Sequence, residues 1–218
     1  METLLELFEK YSTYNPEAKY ITDKNSYHSY IEDVYEQFFS PVRNKKIKLL
    51  EIGVAYSGSV RLWKDYFPNG EIYGIDPLQN NSEAKETTWE LIDNPVDGIK
   101  IIVEDAYKKE VADTLPKFDF IIDDGPHTVE SQIECVKLYL PKLKKNGVLF
   151  IEDLIIDFEY DYEGDELENH PVISKILSYV PDEQYEYRIF DSRKNVIGRK
   201  DVGPEGRGDN VILAIKPV

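Results

Sequence analysis

Residues 49–76 read LLEIGVAYSGSVRLWKDYFPNGEIYGID. Taken back to Ile47, the opening is an apolar run that ends at Gly53-Val54 and reads as a strand buried on both faces. Small residues follow (Gly53, Ala55, Ser57, Gly58 and Ser59), which let a backbone turn tightly and approach a ligand. Residues 58–66 then form a helix, and EIYGID at 71–76 is a second apolar strand. Strand, small-residue turn, helix and strand make one right-handed crossover, the unit of a parallel sheet.

The alternation continues outward from this unit. Residues 83–92 read as helical, KIIVED (100–105) as a third strand and FDFIIDD (118–124) as a fourth. A helix over 128–143 has Ile133, Val136, Leu140 and Leu143 as its inner stripe. Asn146-Gly147 marks a turn into VLFIED (148–153), the fifth strand. YEYRIFDS (185–192) and NVILAIKP (210–217) have no strong helix between them and read as an antiparallel pair at the sheet edge, joined through a polar, Gly-rich loop at 198–209. Upstream, Leu4, Leu5, Leu7 and Phe8 give residues 1–13 helical spacing. Tyr30, Val34, Phe38 and Phe39 do so for 22–39, which Ser40-Pro41 ends. The expectation is a single domain over 1–218. It has a helical lead-in over 1–45 and an α/β, doubly wound, Rossmann-like core over 46–218. The core sheet is mostly parallel and seven-stranded, with an antiparallel C-terminal edge strand.

Charge excludes several functions. The 218 residues hold 42 Asp and Glu against 26 Lys and Arg, a net charge of -16. That balance opposes phosphate neutralisation, so nucleic acid and anionic membranes are discounted as partners. The one cysteine, Cys135, excludes an internal disulfide and a Cys-based metal site, and its apolar-periodic setting reads as a buried thiol. METLLELFEKY is acidic and lacks the basic start of a signal peptide, and no apolar run reaches membrane-spanning length, so a cytoplasmic location is expected.

Ligands of open parallel sheets bind beyond the carboxyl ends of the strands. There the sequence places Glu51, Asp76, Glu104-Asp105, Asp123-Asp124 and Glu152-Asp153, one set for each of five consecutive strands. Each alone reads equally well as a solvated acid or a helix cap; together they outline a site. Asp76 follows Gly53 at a spacing that suits an acid for ribose hydroxyls, which fits the nucleoside of NAD or of S-adenosylmethionine (SAM) alike. Gly53-x-Ala55-x-x-Gly58 is a degenerate dinucleotide fingerprint. Asp124, Glu152 and Asp153 are three carboxylates of the kind that suits Mg²⁺, a hard cation that keeps open positions for substrate oxygens. His127, three residues past Asp124, is placed to act as a general base. His28 has less context, and His170, before Pro171, reads as a turn residue.

Residues 49–76, FDFIIDDGPHTVESQ (118–132), GVLFIEDL (147–154) and TDKNSYHSYIEDVYEQFF (22–39) resemble the Mg²⁺-dependent sugar O-methyltransferases of macrolide biosynthesis, within the class I SAM-dependent methyltransferases. The likeness covers most of residues 20–155. An acid at Glu51, before the first glycine, and the terminal strand pair also favour SAM by this resemblance. It implies that Asp124, Glu152 and Asp153 hold Mg²⁺ and that His127, beside Asp124, is the catalytic base. Glu51, Gly53 and Ser59 would line the methionine end of SAM, Asp76 would bind its ribose, and Asp105, Ala106 and Asp123 would complete the cofactor site. The acceptor implied is a hydroxyl of a rhamnose-like deoxyhexose, free or on a glycan, with loops 155–170 and 198–209 selecting it. Ala55 and Ser57 depart from the family pattern, where glycines are commoner, and the large N-terminal domain of some members is missing. The residues leave three alternatives open: a Mg²⁺-dependent O-methyltransferase of catechols or other aromatics, with Tyr27, Tyr30, Tyr160 and Tyr162 as pocket walls; an NAD-dependent oxidoreductase; and a non-catalytic SAM-fold partner module. A homo-oligomer, or a place in a larger glycan-assembly protein, is compatible with all of them.

Overall fold

A computed structural model describes residues 2–79, 82–156, 164–193, 195 and 210–218. Its strands are β1 (Lys48–Ile52), β2 (Glu71–Ile75), β3 (Ile99–Ile102), β4 (Phe118–Asp123), β5 (Leu143–Ile151), β6 (Tyr185–Asp191) and β7 (Val211–Pro217). They form one seven-stranded sheet in the order β3-β2-β1-β4-β5-β7-β6. β1, β2 and β3 pair in parallel, as do β4 and β5, whereas β7 runs antiparallel to both β5 and β6. This is the expected mostly parallel sheet with an antiparallel edge, and β6 is the edge strand. No helix among the described residues is long and apolar enough to cross a membrane.

The chain divides into two compact units, Met1–Ala106 and Tyr107–Val218. In the first, helix α3 (Gly58–Tyr66) links β1 to β2 and α4 (Ser82–Asp93) links β2 to β3. Leu49, Leu50, Ile52, Ile72 and Ile75 are all buried, as strands covered on both faces require. The lead-in is less helical than its periodicity implies. Helix α1 spans only Leu4–Phe8, closed at its start by a reciprocal capping box between Thr3 and Glu6. The chain then turns, because Tyr11 O accepts from Thr22 N at 2.8 Å and Ser12 bridges Thr22, a tertiary pairing that overrides local propensity. Residues 24–28 are turns too. Helical structure begins with a π-helical segment at Ile31–Tyr35, runs through α2 (Glu36–Phe39) and continues past Ser40-Pro41 as a 3₁₀ turn to Val42. Tyr35, Phe39, Trp63 and Phe67 pack with ring centroids 5.1–5.4 Å apart and seat the lead-in on α3. Each such pair contributes about 0.5–1.5 kcal/mol beyond area burial. On α4 the indole of Trp89 stands 46% exposed.

In the second unit, α5 (Lys109–Thr114) precedes β4, and α6 (Val129–Tyr139) joins β4 to β5. Ile133, Val136 and Leu140 are buried, as the stripe requires, and Cys135 is a buried free thiol. β5 starts at Leu143, five residues before the expected 148, so Asn146-Gly147 is not a turn into the strand. The register slips between Phe118 and Phe120, and a Cβ on Gly147 would lie 2.9 Å from Phe118 O. The glycine therefore marks an irregularity where the two strand backbones approach closely. Helix α7 (Pro171–Leu177) follows a 3₁₀ segment at Gly164–Asn169. His170, expected in a turn, is the N-cap of α7, with Nδ1 accepting from Val172 N and Pro171 filling the first helical position.

Candidate functional site

In the first unit the turn after β1 is built around Asp76. One carboxylate oxygen, Oδ2, accepts from the backbone N–H groups of Val54 (2.9 Å) and Ala55 (3.1 Å), and Oδ1 accepts from Leu78 N (2.7 Å). The acid thus fixes both the β1 turn and its own. Gly53, at φ +86°, has the left-handed backbone that favours glycine. The small residue at 58 has a different cause, because a Cβ there would meet the Ile21 carbonyl carbon and oxygen at 2.3 Å. Only glycine lets the first turn of α3 press against the lead-in backbone. Ser59 is buried on that turn.

Glu51 is fully buried within β1. Its Oε2 accepts from the Trp63 indole N–H at 3.2 Å, and its Oε1 lies 3.3 Å from the ammonium of Lys24, itself 1% exposed. An unpaired buried carboxylate would cost several kcal/mol, so the lead-in lysine is the counter-charge that lets an acid occupy this strand. Sequence reading missed Lys24. The signal was present in TDKNSYH, where a lysine sits among residues that are otherwise polar and buried, Asn25, Ser26 and His28.

In the second unit, Asp124, His127 and Asp153 converge. One ligand atom from each lies within 4.8 Å of the others. His127 Nε2 stands 3.6 Å from Asp124 Oδ1 and 3.6 Å from Asp153 Oδ2. All three are partly exposed, so solvent or a ligand can reach them. His127 directly precedes Thr128, the N-cap of α6, whose hydroxyl accepts from Ser131 N at 3.1 Å. Beneath the cluster, Asp123 is buried and accepts from the Tyr107 hydroxyl at 2.5 Å. Burial pushes the Asp123 carboxyl up to about 6, against the opposing pull of the Tyr107 hydrogen bond. Burial, reinforced by the Asp123 charge, pushes the phenol of Tyr107 far up, so it stays a donor. Glu152 is also buried. Its backbone N–H donates to Asp123 O, and its carbonyl accepts from Gln132 Nε2 at 3.3 Å.

Backbone strain marks the same strand ends. Among the described residues, the non-glycine positions with positive φ are Ala55 (+43°), Ser57 (+57°), Leu78 (+53°), His127 (+56°) and Asp153 (+52°). They follow β1, β2, β4 and β5. Each such conformation costs about 1–2 kcal/mol, and strain of this kind concentrates where function needs a fixed geometry.

Residues 50–154, just under half of the 218, match a family described as a methyltransferase domain. This segment is similar to a methyltransferase domain. Two curated relatives are similar to the chain over about two thirds of its length. One is the 8-demethyl-8-alpha-L-rhamnosyl tetracenomycin-C 2'-O-methyltransferase of Streptomyces olivaceus, 28% identical over 66% of this chain and 38% of that protein. The other is the mycinamicin VI 2''-O-methyltransferase of Micromonospora griseorubida, 29% identical over 63% of this chain and 34% of that protein. The chain therefore spans well under half the length of these relatives. Among solved structures, the MycE methyltransferase of the mycinamycin biosynthetic pathway, in complex with Mg, SAH and mycinamycin VI, is 26% identical over 70% of this chain and 37% of that one, with a TM-score of 0.54. A second MycE structure, with Mg and SAH, is 22% identical and superposes over 99% of this chain and 55% of that one with a TM-score of 0.64, a likeness of fold.

The matched segment holds the expected residues in three ways. Asp124, His127 and Asp153 are brought together. Glu152, expected to ligate a metal beside Asp153, is not one of the converging groups. Consecutive residues diverge at this strand end, and the positive φ of Asp153 turns its carboxylate to the cluster while Glu152 stays buried. Asp76 and Asp123, expected to face a cofactor, already hold the Val54, Ala55 and Leu78 amides and the Tyr107 hydroxyl respectively. Asp105 is partly exposed and Ala106 buried, both beyond the end of β3. The departures from glycine at Ala55 and Ser57 carry the left-handed backbone themselves, so the turn keeps its shape without the residue that ordinarily supplies it. Tyr160, Tyr162 and the rest of 157–163 in the first loop, and all of the loop at 198–209, lie outside the described residues.

Proposed function

We propose that this chain is a SAM- and Mg²⁺-dependent O-methyltransferase that acts on a hydroxyl of a rhamnose-like sugar, carried by a small molecule or a glycan. The observation that carries the reading is the convergence of Asp124, His127 and Asp153 at the strand ends of a methyltransferase domain. The donor set fits a hard cation. Two partly exposed carboxylates, each 3.6 Å from His127 Nε2, offer the oxygen ligands that such a cation prefers and leave the imidazole to act as a base. Asp124 and Asp153 would be the carboxylate ligands. The sugar preference rests on the relatives, whose names describe methylation of a rhamnosyl group and of mycinamicin VI.

Bound SAM would supply the methyl group, and bound Mg²⁺ would supply a positive field that makes a neighbouring hydroxyl more acidic. The chain's own residues do the rest. Glu51, Gly53 and Ser59 form the wall for the methionine end, and Asp76 presents its turn to the ribose. Asp105 and Ala106 complete the cofactor's surroundings in the first unit. Asp124 and Asp153 flank His127 and orient its imidazole, and His127 Nε2 takes the proton of the acceptor hydroxyl. General-base help of this kind is worth about 10²–10⁴-fold.

Calorimetric titration of the purified chain with SAM, S-adenosylhomocysteine and NAD, each with and without Mg²⁺, tests the class. Binding of the SAM-type ligands with none for NAD supports the reading, and a screen of rhamnosylated acceptors then reads methyl transfer. Binding of NAD alone overturns it.

A further inference from the structure

The loop that joins β4 to α6 carries Asp124 and His127 on five residues, Asp124 to Thr128, and something must hold it. Its glycine is informative. Among the described residues the glycines with positive φ are Gly53 and Gly98, so Gly125 is not required by its backbone angle. Space is the reason instead. A Cβ on Gly125 would lie 2.0 Å from the Tyr107 hydroxyl oxygen and 3.1 Å from its ring carbon Cζ. That same hydroxyl donates to Asp123 Oδ1 at 2.5 Å, and Asp123 is 2% exposed. One phenol oxygen therefore touches the loop at two successive points, at the carboxylate before Asp124 and at the backbone after it.

We infer that Tyr107 is a positioning residue for the metal-binding loop, a pin that sets where Asp124 and His127 point although it reaches neither metal nor substrate. The inference rests on the metal reading proposed above. A neutral phenol suits the task. It donates one strong hydrogen bond to a carboxylate, stays protonated, and brings no charge to compete with a cation. Groups that orient ligands from behind in this way typically govern metal affinity by about 10–100-fold.

Mn²⁺ is the probe, titrated into the full chain and followed by the electron paramagnetic resonance of the free ion, at a temperature where every variant is folded by circular dichroism. Asp153→Asn is the test of the metal reading. If the unaltered chain binds no Mn²⁺, or if Asp153→Asn binds it as tightly, the metal reading fails and the inference fails with it. Given binding that Asp153→Asn weakens, Tyr107→Phe is expected to weaken it by about tenfold or more. Binding within twofold of the unaltered chain, whatever the change in melting temperature, overturns the inference and leaves the metal reading standing. A second pair of variants separates pinning from general damage. Gly125→Ala forces its new Cβ against the phenol oxygen and weakens Mn²⁺ binding. In Gly125→Ala/Tyr107→Phe that oxygen is gone and the nearest ring carbon is 3.1 Å away, so the double variant binds no worse than Gly125→Ala alone. Losses that multiply in the double variant mean two independent effects and overturn the pin.

Discussion

His127 pays for its place with a left-handed backbone that a histidine adopts at a cost, and it stands between two carboxylates. If its imidazole is the base, His127→Ala lowers turnover by about 10²–10⁴-fold while SAM still binds in a calorimeter. Unchanged turnover rejects the assignment. Lys24 acts differently, because its partner is buried. Lys24→Met leaves Glu51 charged and unpaired, and urea unfolding is expected to show a loss of about 3–5 kcal/mol. Lys24→Met/Glu51→Leu removes both charges, so the double variant should be more stable than the single one; equal stability would mean that the pair is not coupled. Residue reading singled out Asp124, His127, Glu152 and Asp153, of which the structure brings three together, because strand ends are legible from apolar runs that stop at acids. It did not find Lys24 or Tyr107, whose roles depend on which side chain a turn brings beneath a strand, and no spacing rule encodes that.

At the scale of elements, the helix at 58–66 and the strands near 71–75 and 118–123 were readable because buried parallel strands and an intervening helix have distinct periods. Misses occurred where tertiary contact decides. Residues 9–13 and 24–28 keep helical spacing yet turn, held by the Ser12–Thr22 bridge and the burial of Lys24. Asn146-Gly147 has turn chemistry but serves close strand approach. His170-Pro171 has the look of a stop and acts as a start. The amino ends of the strands carry a separate charge device. Glu71 of β2 accepts from Lys100 of β3 at 3.1 Å and from Lys48 of β1 at 3.3 Å. The Lys100 and Lys48 hydrogen bonds hold its carboxyl down at about 2. A carboxyl lowered on folding adds stability that is fully present above its unfolded value of about 4.3 and is lost as pH falls through about 2. Its side chain is 43% exposed, so solvent screening keeps the contribution below about 1 kcal/mol. Between pH 4.5 and pH 2 the unaltered chain should therefore lose slightly more stability to urea than Glu71→Gln does. Parallel loss in the two would show that the clamp is electrostatically silent.

For the whole molecule, a net charge of -16 gives a field that repels polyanions and attracts cations. Methyl transfer to a rhamnosylated acceptor should vanish in EDTA and return with excess Mg²⁺; full activity in EDTA would remove the metal from the reaction. The family match covers residues 50–154, and the lead-in outside that span supplies Lys24 and the backbone of Ile21 against Gly58. These contacts make the first residues part of the fold that presents Glu51. The chain's two tryptophans divide along the same line, Trp63 sealed against Glu51 and Trp89 half in water on α4. Their emission should separate accordingly, a blue component shielded from iodide and a red one quenched by it. Trp89→Phe would leave a single tryptophan whose indole proton rests on the β1 carboxylate, an optical reporter already wired to that strand without any added dye.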